Sequence, residues 1–96
     1  MDIRFEWDER KAAVNERKHE VSFHEATTVF SDPLSATISD PLHSGPGEER
    51  SVTMGLSARG NLLVVVHLDW DEVIRIISAR RASRRERVSY EKAIEK

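Results

Sequence analysis

The stretch LLVVVHLDW, from Leu62 to Trp70, is the most hydrophobic part of the chain. Its apolar residues follow one another without alternating with polar ones, which is typical of a strand covered on both faces. Because only an inner strand is covered in this way, we predict that this segment lies at the centre of a sheet.

Further strands are predicted on both sides of this segment. RSVTMGLS, from Arg50 to Ser57, alternates apolar with small polar residues, and the turn residues Gly60 and Asn61 follow it. WDE makes the next turn and VIRIISAR forms the last strand, while the region from Leu34 to Asp40 is a weak strand candidate. Consecutive strands joined by tight turns favour an antiparallel meander.

The N-terminal region is predicted to contain a strand and two helices. IRFEW, from Ile3 to Trp7, has the alternation of a half-buried strand, and Asp8 can cap a helix over residues 9–20. Ser22 and Glu25 have the spacing of a capping box, which predicts a short second helix. The Asp-Pro pair after Phe30 stops that helix.

A second capping box, Ser83 with Glu86, predicts a C-terminal helix from Arg84 to about Glu95. The predicted order is therefore β-α-α-β-β-β-β-α, in a single domain of residues 1–96. This is an α+β fold in which an antiparallel meander carries the helices on one face.

Composition limits the class of protein. The chain has 96 residues, of which 33% are charged and 39% hydrophobic, so one globular domain is expected. It contains no cysteine, which excludes disulfides and thiolate metal sites. The longest apolar run is too short for a membrane span and the first residues do not resemble a signal peptide, so we expect a cytoplasmic protein.

Arginine is concentrated near the C-terminus. The net charge is only -2, but five arginines lie between Arg80 and Arg87, and the two halves of the chain, divided after Glu49, carry -6 and +4. Two interpretations remain open. The cluster is either a site for an anion such as a phosphate backbone or a solvated helix start. Arginines in the first turn oppose the helix dipole, which favours the anion site, whereas pairing with Glu86 or Glu91 would remove that argument.

Strict alternation along the last strand separates its arginines. It places Arg75, Ile77 and Ala79 on one face, and the other face then carries Ile74, Ile76, Ser78 and Arg80. Arg75 lies between isoleucines, so it lines a cleft, extends its charged end to solvent, or pairs with an acid on a neighbouring strand.

The four histidines do not form a recognisable metal motif. His19 and His24 are five residues apart, whereas two ligands on one helix face need a spacing of four. His67 lies in the most hydrophobic strand and is interpreted as a hydrogen-bonded core residue, with a reserve role as a general base. His43, in a loop rich in glycine and proline, is interpreted as solvated. No metal and no cofactor are expected.

Several separate motifs resemble the BrnT family of toxins from bacterial type II toxin–antitoxin pairs. They are Lys18-His19, Glu49-Arg50 and the ISAR segment that ends at Arg80, followed by Glu86 and Tyr90, and the resemblance extends over residues 5–91. The chain departs from the family pattern at Glu20, where glycine is usual after the KH pair, and in the acidic hairpin of residues 69–72, which carries Trp70.

The resemblance implies a RelE-like fold and a metal-independent ribonuclease that arrests translation. It also implies an antitoxin partner with a ribbon-helix-helix DNA-binding part, like BrnA, and a complex that represses its own operon by binding operator DNA. Because such an antitoxin is a symmetric dimer, we expect two toxins for two antitoxins.

The resemblance, read with the chemistry of RNA cleavage, suggests roles for particular residues. A ribose 2′-hydroxyl that attacks phosphorus needs a base, an acid and cations around the phosphoryl oxygens. Arg50 and Arg80 are the expected phosphate-stabilising pair, and Lys18 supplies a further cation. Glu49 is the first candidate for the base, with His19 and His67 as alternatives. Flanking phosphates are expected to bind Arg75, Arg81, Arg84 and Arg85.

Two other functions compete with the ribonuclease. One is a nucleic-acid-binding module without enzymatic activity, for which the chain has few aromatic residues. The other is an inactive interaction subunit of a repressor complex. Cleavage of RNA by the isolated chain would exclude both.

Overall fold

The computed structural model describes residues 3–94 and has one five-stranded sheet, in the order β1-β5-β4-β3-β2. The strands are β1 Arg4–Glu6, β2 Ala36–Ser39, β3 Glu49–Leu56, β4 Leu62–Trp70 and β5 Val73–Arg81. The helices are α1 Glu9–His19, α2 Phe23–Thr27 and α3 Arg84–Ile94, with 3-10 turns at Thr28–Ser31 and Pro41–His43. The α+β class and the predicted order of elements are confirmed.

The hydrophobic strand β4 lies at the centre of the sheet, as predicted. Leu62, Leu63, Val64 and Val65 are all buried, so both faces of its first half are covered. The meander prediction holds for β2 to β5, whose neighbouring pairs are all antiparallel. β1 differs, because it pairs in parallel with β5 and makes the sheet mixed.

The main core lies between one face of the sheet and the segment that contains α2. Helix-side residues Val21, Phe23, Ala26 and Val29 pack against Leu63, Val65, Ile76 and Ala79 of the sheet. Aromatic rings extend this core toward β1, since Phe5 lies 5.4 Å from Phe30 and Trp7 lies 6.0 Å from Phe23 between ring centroids. Burial of apolar area at this interface is the main stabilising contribution.

A β-bulge in β5 corrects the predicted distribution of its side chains. Val66 pairs with Ser78 but His67 pairs with Ile76, so Ile77 is an extra residue without a partner in β4. The bulge reverses the alternation after this point. Ile74, Ile76 and Ala79 therefore face the core, whereas Arg75, Ser78 and Arg80 lie together on the opposite face.

The helix starts were predicted correctly in position, but one cap differs. Asp8 accepts hydrogen bonds from the first turn of α1, and Ser83 and Glu86 form the reciprocal box before α3. At α2, Ser22 accepts from the Glu25 N–H. The Glu25 carboxylate does not return the contact, because it is buried and accepts from Ser57 Oγ and Asn61 Nδ2 instead.

The end of α1 keeps a left-handed geometry without glycine. Glu20, which occupies the position of the usual family glycine, has φ 58°. One turn earlier, Asn15 binds the part of β5 that has no partner in β1. Its side-chain amide donates to Ala79 O and accepts from Ala79 N. These two features place the C-terminal turn of α1 beside β5.

Candidate functional site

Three arginines lie on the sheet face opposite the main core, and this surface is called the arginine face below. Arg50 pairs with Leu68 of β4, which in turn pairs with Arg75 of β5, so the two arginines flank Leu68 in one cross-strand row. They are two strand spacings apart, or about 10 Å between Cα atoms. Arg80 pairs with Val64, further along the same face.

The structure does not bring Arg50 and Arg80 together. They lie on opposite sides of β4 and are four β4 residues apart along the strand, which corresponds to about 16 Å between their Cα atoms in regular sheet geometry. The Arg50 side chain is directed toward Asp40, and the Arg80 side chain is directed toward Glu86. A single phosphate group would therefore not contact both guanidinium groups as they are oriented.

Acidic partners already hold two of these arginines. Arg75 Nη1 donates to Glu6 Oε2 at 2.8 Å, so of the three interpretations of Arg75, the structure shows pairing with an acid on a neighbouring strand. Arg80 makes a bidentate contact with Glu86, at 2.8 and 2.9 Å. Bidentate guanidinium–carboxylate contacts are among the stronger surface interactions.

The start of α3 is occupied by the carboxylate of Glu86. Besides Arg80, this carboxylate accepts the Ser83 N–H at 2.8 Å. The hydrogen bonds from Arg80 are the main reason that the pKa of Glu86 falls from 4.5 to about 2. The predicted anion site at this helix start is therefore filled by a side chain of the protein, while Arg84 and Arg85 beside it are exposed.

Arg81 lies on the other side of β5. It pairs with the core residue Leu63, and its charge acts on the carboxylate of Glu25. It therefore faces away from the arginine face.

Lys18 and His19 line a groove beside β5. The groove has a volume of about 350 Å³, and its wall includes Ile77 and Ser78 as well as Val14 of α1. Ser78 lies on the arginine face between Arg75 and Arg80. The last turn of α1 therefore brings its basic side chains next to the edge of that face.

Glu49 lies in a different environment from its neighbour Arg50. Successive strand residues point to opposite faces, and Glu49 pairs with Asp69 across the strands. Both line a cavity of about 530 Å³ together with Glu48 and Asp71. This surface is acidic, and the Glu49 side chain points away from the arginine face.

His67 is a buried, hydrogen-bonded core residue, as the sequence suggested. Only 1% of its surface is exposed. Its Nε2 lies 2.7 Å from Thr53 Oγ1 and its Nδ1 lies 2.6 Å from Asp69 Oδ1. Because both ring nitrogens are engaged, His67 has no nitrogen available to a substrate.

A cluster around Arg50 was missed in the sequence. His43 Nδ1 lies 2.8 Å from Asp40 Oδ2, and the same oxygen lies 3.7 Å from Arg50 Nε. Arg50 Nε is buried and has no hydrogen-bond partner. A signal was available, since Asp followed by Pro favours a helical turn in which residues three apart meet.

Two classes of feature are not found in residues 3–94. None of the helices there has the length and apolar character needed to cross a membrane. No three histidine, aspartate or glutamate side chains of that region are grouped as metal ligands would be.

Residues 7–86 match a family model described as "Ribonuclease toxin, BrnT, of type II toxin-antitoxin system". The chain belongs to this family. The resemblance carried by the KH, ER and ISAR motifs is thus confirmed. A BrnT-family chain is a ribonuclease toxin, so RNA is its substrate and an antitoxin is its partner.

A solved relative of the BrnT-family chain has the same fold. The crystal structure of the Brucella abortus ribonuclease toxin BrnT aligns with a TM-score of 0.60 at 20% sequence identity, covering 85% of this chain and 99% of that one. A comparison with curated proteins gives no match.

Proposed function

We propose that this toxin cleaves RNA without a metal ion, at phosphates bound along the arginine face. The observation that carries the proposal is the row in which Arg50 and Arg75 flank Leu68, with Arg80 further along the same face. Guanidinium groups bind phosphate through paired N–H donors and stabilise the charge that develops on phosphoryl oxygens. Because these arginines are spread along the sheet, they contact successive phosphates of one strand.

Arg50 is the arginine nearest the reacting phosphate in this proposal. Its Nε has no hydrogen-bond partner and lies 3.7 Å from Asp40, whereas Arg75 and Arg80 each donate to a carboxylate at about 2.8 Å. A phosphate at Arg75 or Arg80 has to replace a carboxylate. The Arg50 side chain is 35% exposed, so a phosphate can reach its outer nitrogens without displacing a hydrogen-bonded carboxylate, which makes binding there more favourable.

The other predicted residues take supporting roles in the proposal. Lys18, beside Ser78, supplies a cation at the edge of the arginine face, whereas His19 remains a prediction as the base, because β4 and β5 separate it from Arg50. Arg84 and Arg85 are exposed at the start of α3 and bind flanking phosphates. Arg81 and Glu49 remain predictions without this support, since both lie away from the arginine face.

The proposal includes where the toxin acts and how an antitoxin controls it. The toxin acts in the cytoplasm, where RNA cleavage arrests translation, and a ribbon-helix-helix antitoxin neutralises it. Two toxins and an antitoxin dimer form the complex that binds operator DNA, since a symmetric DNA-binding dimer offers two equivalent toxin sites.

Cleavage of bulk RNA by the full, partner-free chain in EDTA tests the catalytic part. Wild type should cut the RNA, and Arg50→Ala and Arg80→Ala should each slow cleavage by about 10²-fold or more, by analogy with the loss of one charge-stabilising donor. Arg59→Ala, in the exposed β3–β4 turn, is the matched control and should retain the wild-type rate. Circular dichroism confirms that each variant is folded.

Two results would contradict the proposal. If wild type binds RNA but leaves it intact in EDTA, the chain does not cleave free RNA without a metal. If Arg50→Ala and Arg80→Ala cut as fast as Arg59→Ala, the arginine face is not the site of cleavage.

A further inference from the structure

The loop between β2 and β3 holds His43 in a fixed position beside Arg50. The 3-10 turn folds back so that the His43 N–H donates to Asp40 O at 3.2 Å, and the Asp40 N–H donates to Arg50 O at 2.7 Å. Ser44 Oγ connects the two segments, because it donates to Asp40 O and accepts from the Arg50 N–H, both at 2.8 Å. Histidine and arginine are thus attached to one hydrogen-bonded frame.

The side chains of this frame point to a catalytic arrangement. Asp40 Oδ2 accepts a hydrogen bond from His43 Nδ1 at 2.8 Å, which leaves Nε2 as the nitrogen not engaged with Asp40. The His43 side chain is 65% exposed, so a substrate can reach it. The Arg50 side chain lies 3.7 Å from the same carboxylate and is 35% exposed, so a substrate phosphate can reach it as well.

We propose that His43 is the general base of RNA cleavage, positioned by Asp40, and acts on a ribose whose 3′-phosphate is bound by Arg50. This assignment rests on the proposed ribonuclease mechanism and adds to it the group that removes the proton.

The reaction balances with these groups and water. His43 Nε2 takes the proton of the 2′-hydroxyl, and the 2′-oxygen forms a bond to phosphorus. The bond from phosphorus to the 5′-oxygen breaks, and that oxygen takes a proton from water. The hydroxide so formed recovers the proton from the imidazolium. The products are a 2′,3′-cyclic phosphate and a 5′-hydroxyl end.

The geometry favours His43 over the other candidate bases. Glu49 points to the opposite face and lies beside Asp69. His67 is buried with both nitrogens engaged. His19 lines the groove at β5, so β4 and β5 separate it from Arg50. Among these groups, only His43 shares a contact with Arg50, through Asp40.

The charged side chains closest to His43 are Asp40 and Arg50. An acidic cavity, whose wall includes Ser44, borders the same loop. Asp40 and Arg50 contact each other on the side of the arginine face. Glu48 and Glu49 line the cavity on the other side of the loop. RNA is therefore attracted toward Arg50 and repelled from the cavity, which directs the phosphate backbone past His43 along the arginine face.

The test compares single variants of the full chain in the EDTA assay. His43→Gln keeps a polar side chain beside Asp40 but cannot accept a proton, so it should slow cleavage by about 10²- to 10⁴-fold with RNA affinity unchanged. His24→Gln is the matched control, because His24 is an exposed histidine on α2, away from Arg50, and it should cut at the wild-type rate.

Two further variants separate catalysis from structure. Added imidazole should restore part of the activity of His43→Gly, which a structural role would not allow. Asp40→Asn should lower kcat with a smaller effect on KM, since Asp40 positions the base and affects RNA binding only through its 3.7 Å contact with Arg50.

The outcomes are distinguishable from those of the proposed function. Wild-type rates for His43→Gln, in a preparation where wild type cuts RNA, would refute the role of His43 and leave the ribonuclease proposal intact. Failure of wild type itself to cut RNA would overturn both.

Discussion

Replacing Glu86 with glutamine should destabilise the protein in a way that depends on pH. The carboxylate of Glu86 accepts two hydrogen bonds from Arg80 and one from the Ser83 N–H. Glutamine has a similar shape but no charge and only one acceptor oxygen, so Glu86→Gln removes the charge-assisted part of this contact.

The magnitude follows from the pKa of Glu86. A decrease from 4.5 to about 2 corresponds to about 3 kcal/mol at neutral pH. The Arg80 side chain is 43% exposed, and solvent screening reduces the expected loss to about 1 to 2 kcal/mol. Since the folded pKa lies below the unfolded value, this stabilisation is complete above about pH 5 and is lost as pH falls toward 2.

Urea unfolding of wild type and Glu86→Gln at about pH 7 and about pH 3 measures the effect. The difference in unfolding free energy should be about 1 to 2 kcal/mol at the higher pH and about half of that or less at the lower pH. Glu91→Gln, an exposed acid on the same helix, should change stability by less than about 0.5 kcal/mol at both. A Glu86→Gln difference that does not depend on pH would refute the reasoning.

Two further predictions concern the backbone and the tyrosine. Glu20→Gly should raise the free energy of unfolding by about 0.5 to 1 kcal/mol, because Glu20 has φ 58°, a backbone conformation that glycine adopts without strain. The control Glu16→Gly, inside α1, should lower the free energy of unfolding by about 1 kcal/mol. A loss of stability in both variants would contradict the argument from the backbone of Glu20. Burial and the hydrogen bond to Asp32 raise the pKa of Tyr90 from 10.0 to about 12. As Tyr90 is the chain's single tyrosine, its phenolate absorbance should appear near pH 12 in folded protein and near pH 10 in urea. The associated stability is complete below pH 10 and is lost as pH rises through about 12, and a folded midpoint near 10 would disprove the buried contact.

Local patterns were enough to predict most of the fold. Continuous hydrophobicity placed β4 at the centre of the sheet, and the Ser83–Glu86 spacing located the start of α3. Such signals depend on neighbours within a few residues. The parallel pairing of β1 with β5 could not be predicted in this way, because it joins segments about 70 residues apart in the chain.

The candidate site was predicted in part. Arg50, Arg75 and Arg80 were all named, but strict alternation separated Arg75 from Arg80. The bulge at Ile77 brings them to one face. His43 was interpreted as a solvated loop residue, and its side chain is exposed. The role proposed for it could not be predicted, because that role depends on Arg50 of β3, which comes close to His43 only after the β2–β3 connection has folded back.

The sequence by itself determined the α+β class, the order of the elements and membership of the BrnT family, since periodicity, capping spacing and motifs are properties of short segments. Only the tertiary structure decided which charges meet. Sheet register set the neighbours of Arg50 and Arg75, and of the two acids near the arginine cluster, Glu86 and Glu91, it is Glu86 that binds Arg80. Charge pairing depends on distances of a few ångströms, and for Arg75 and Glu6, which lie 69 residues apart in the chain, no local pattern specifies them.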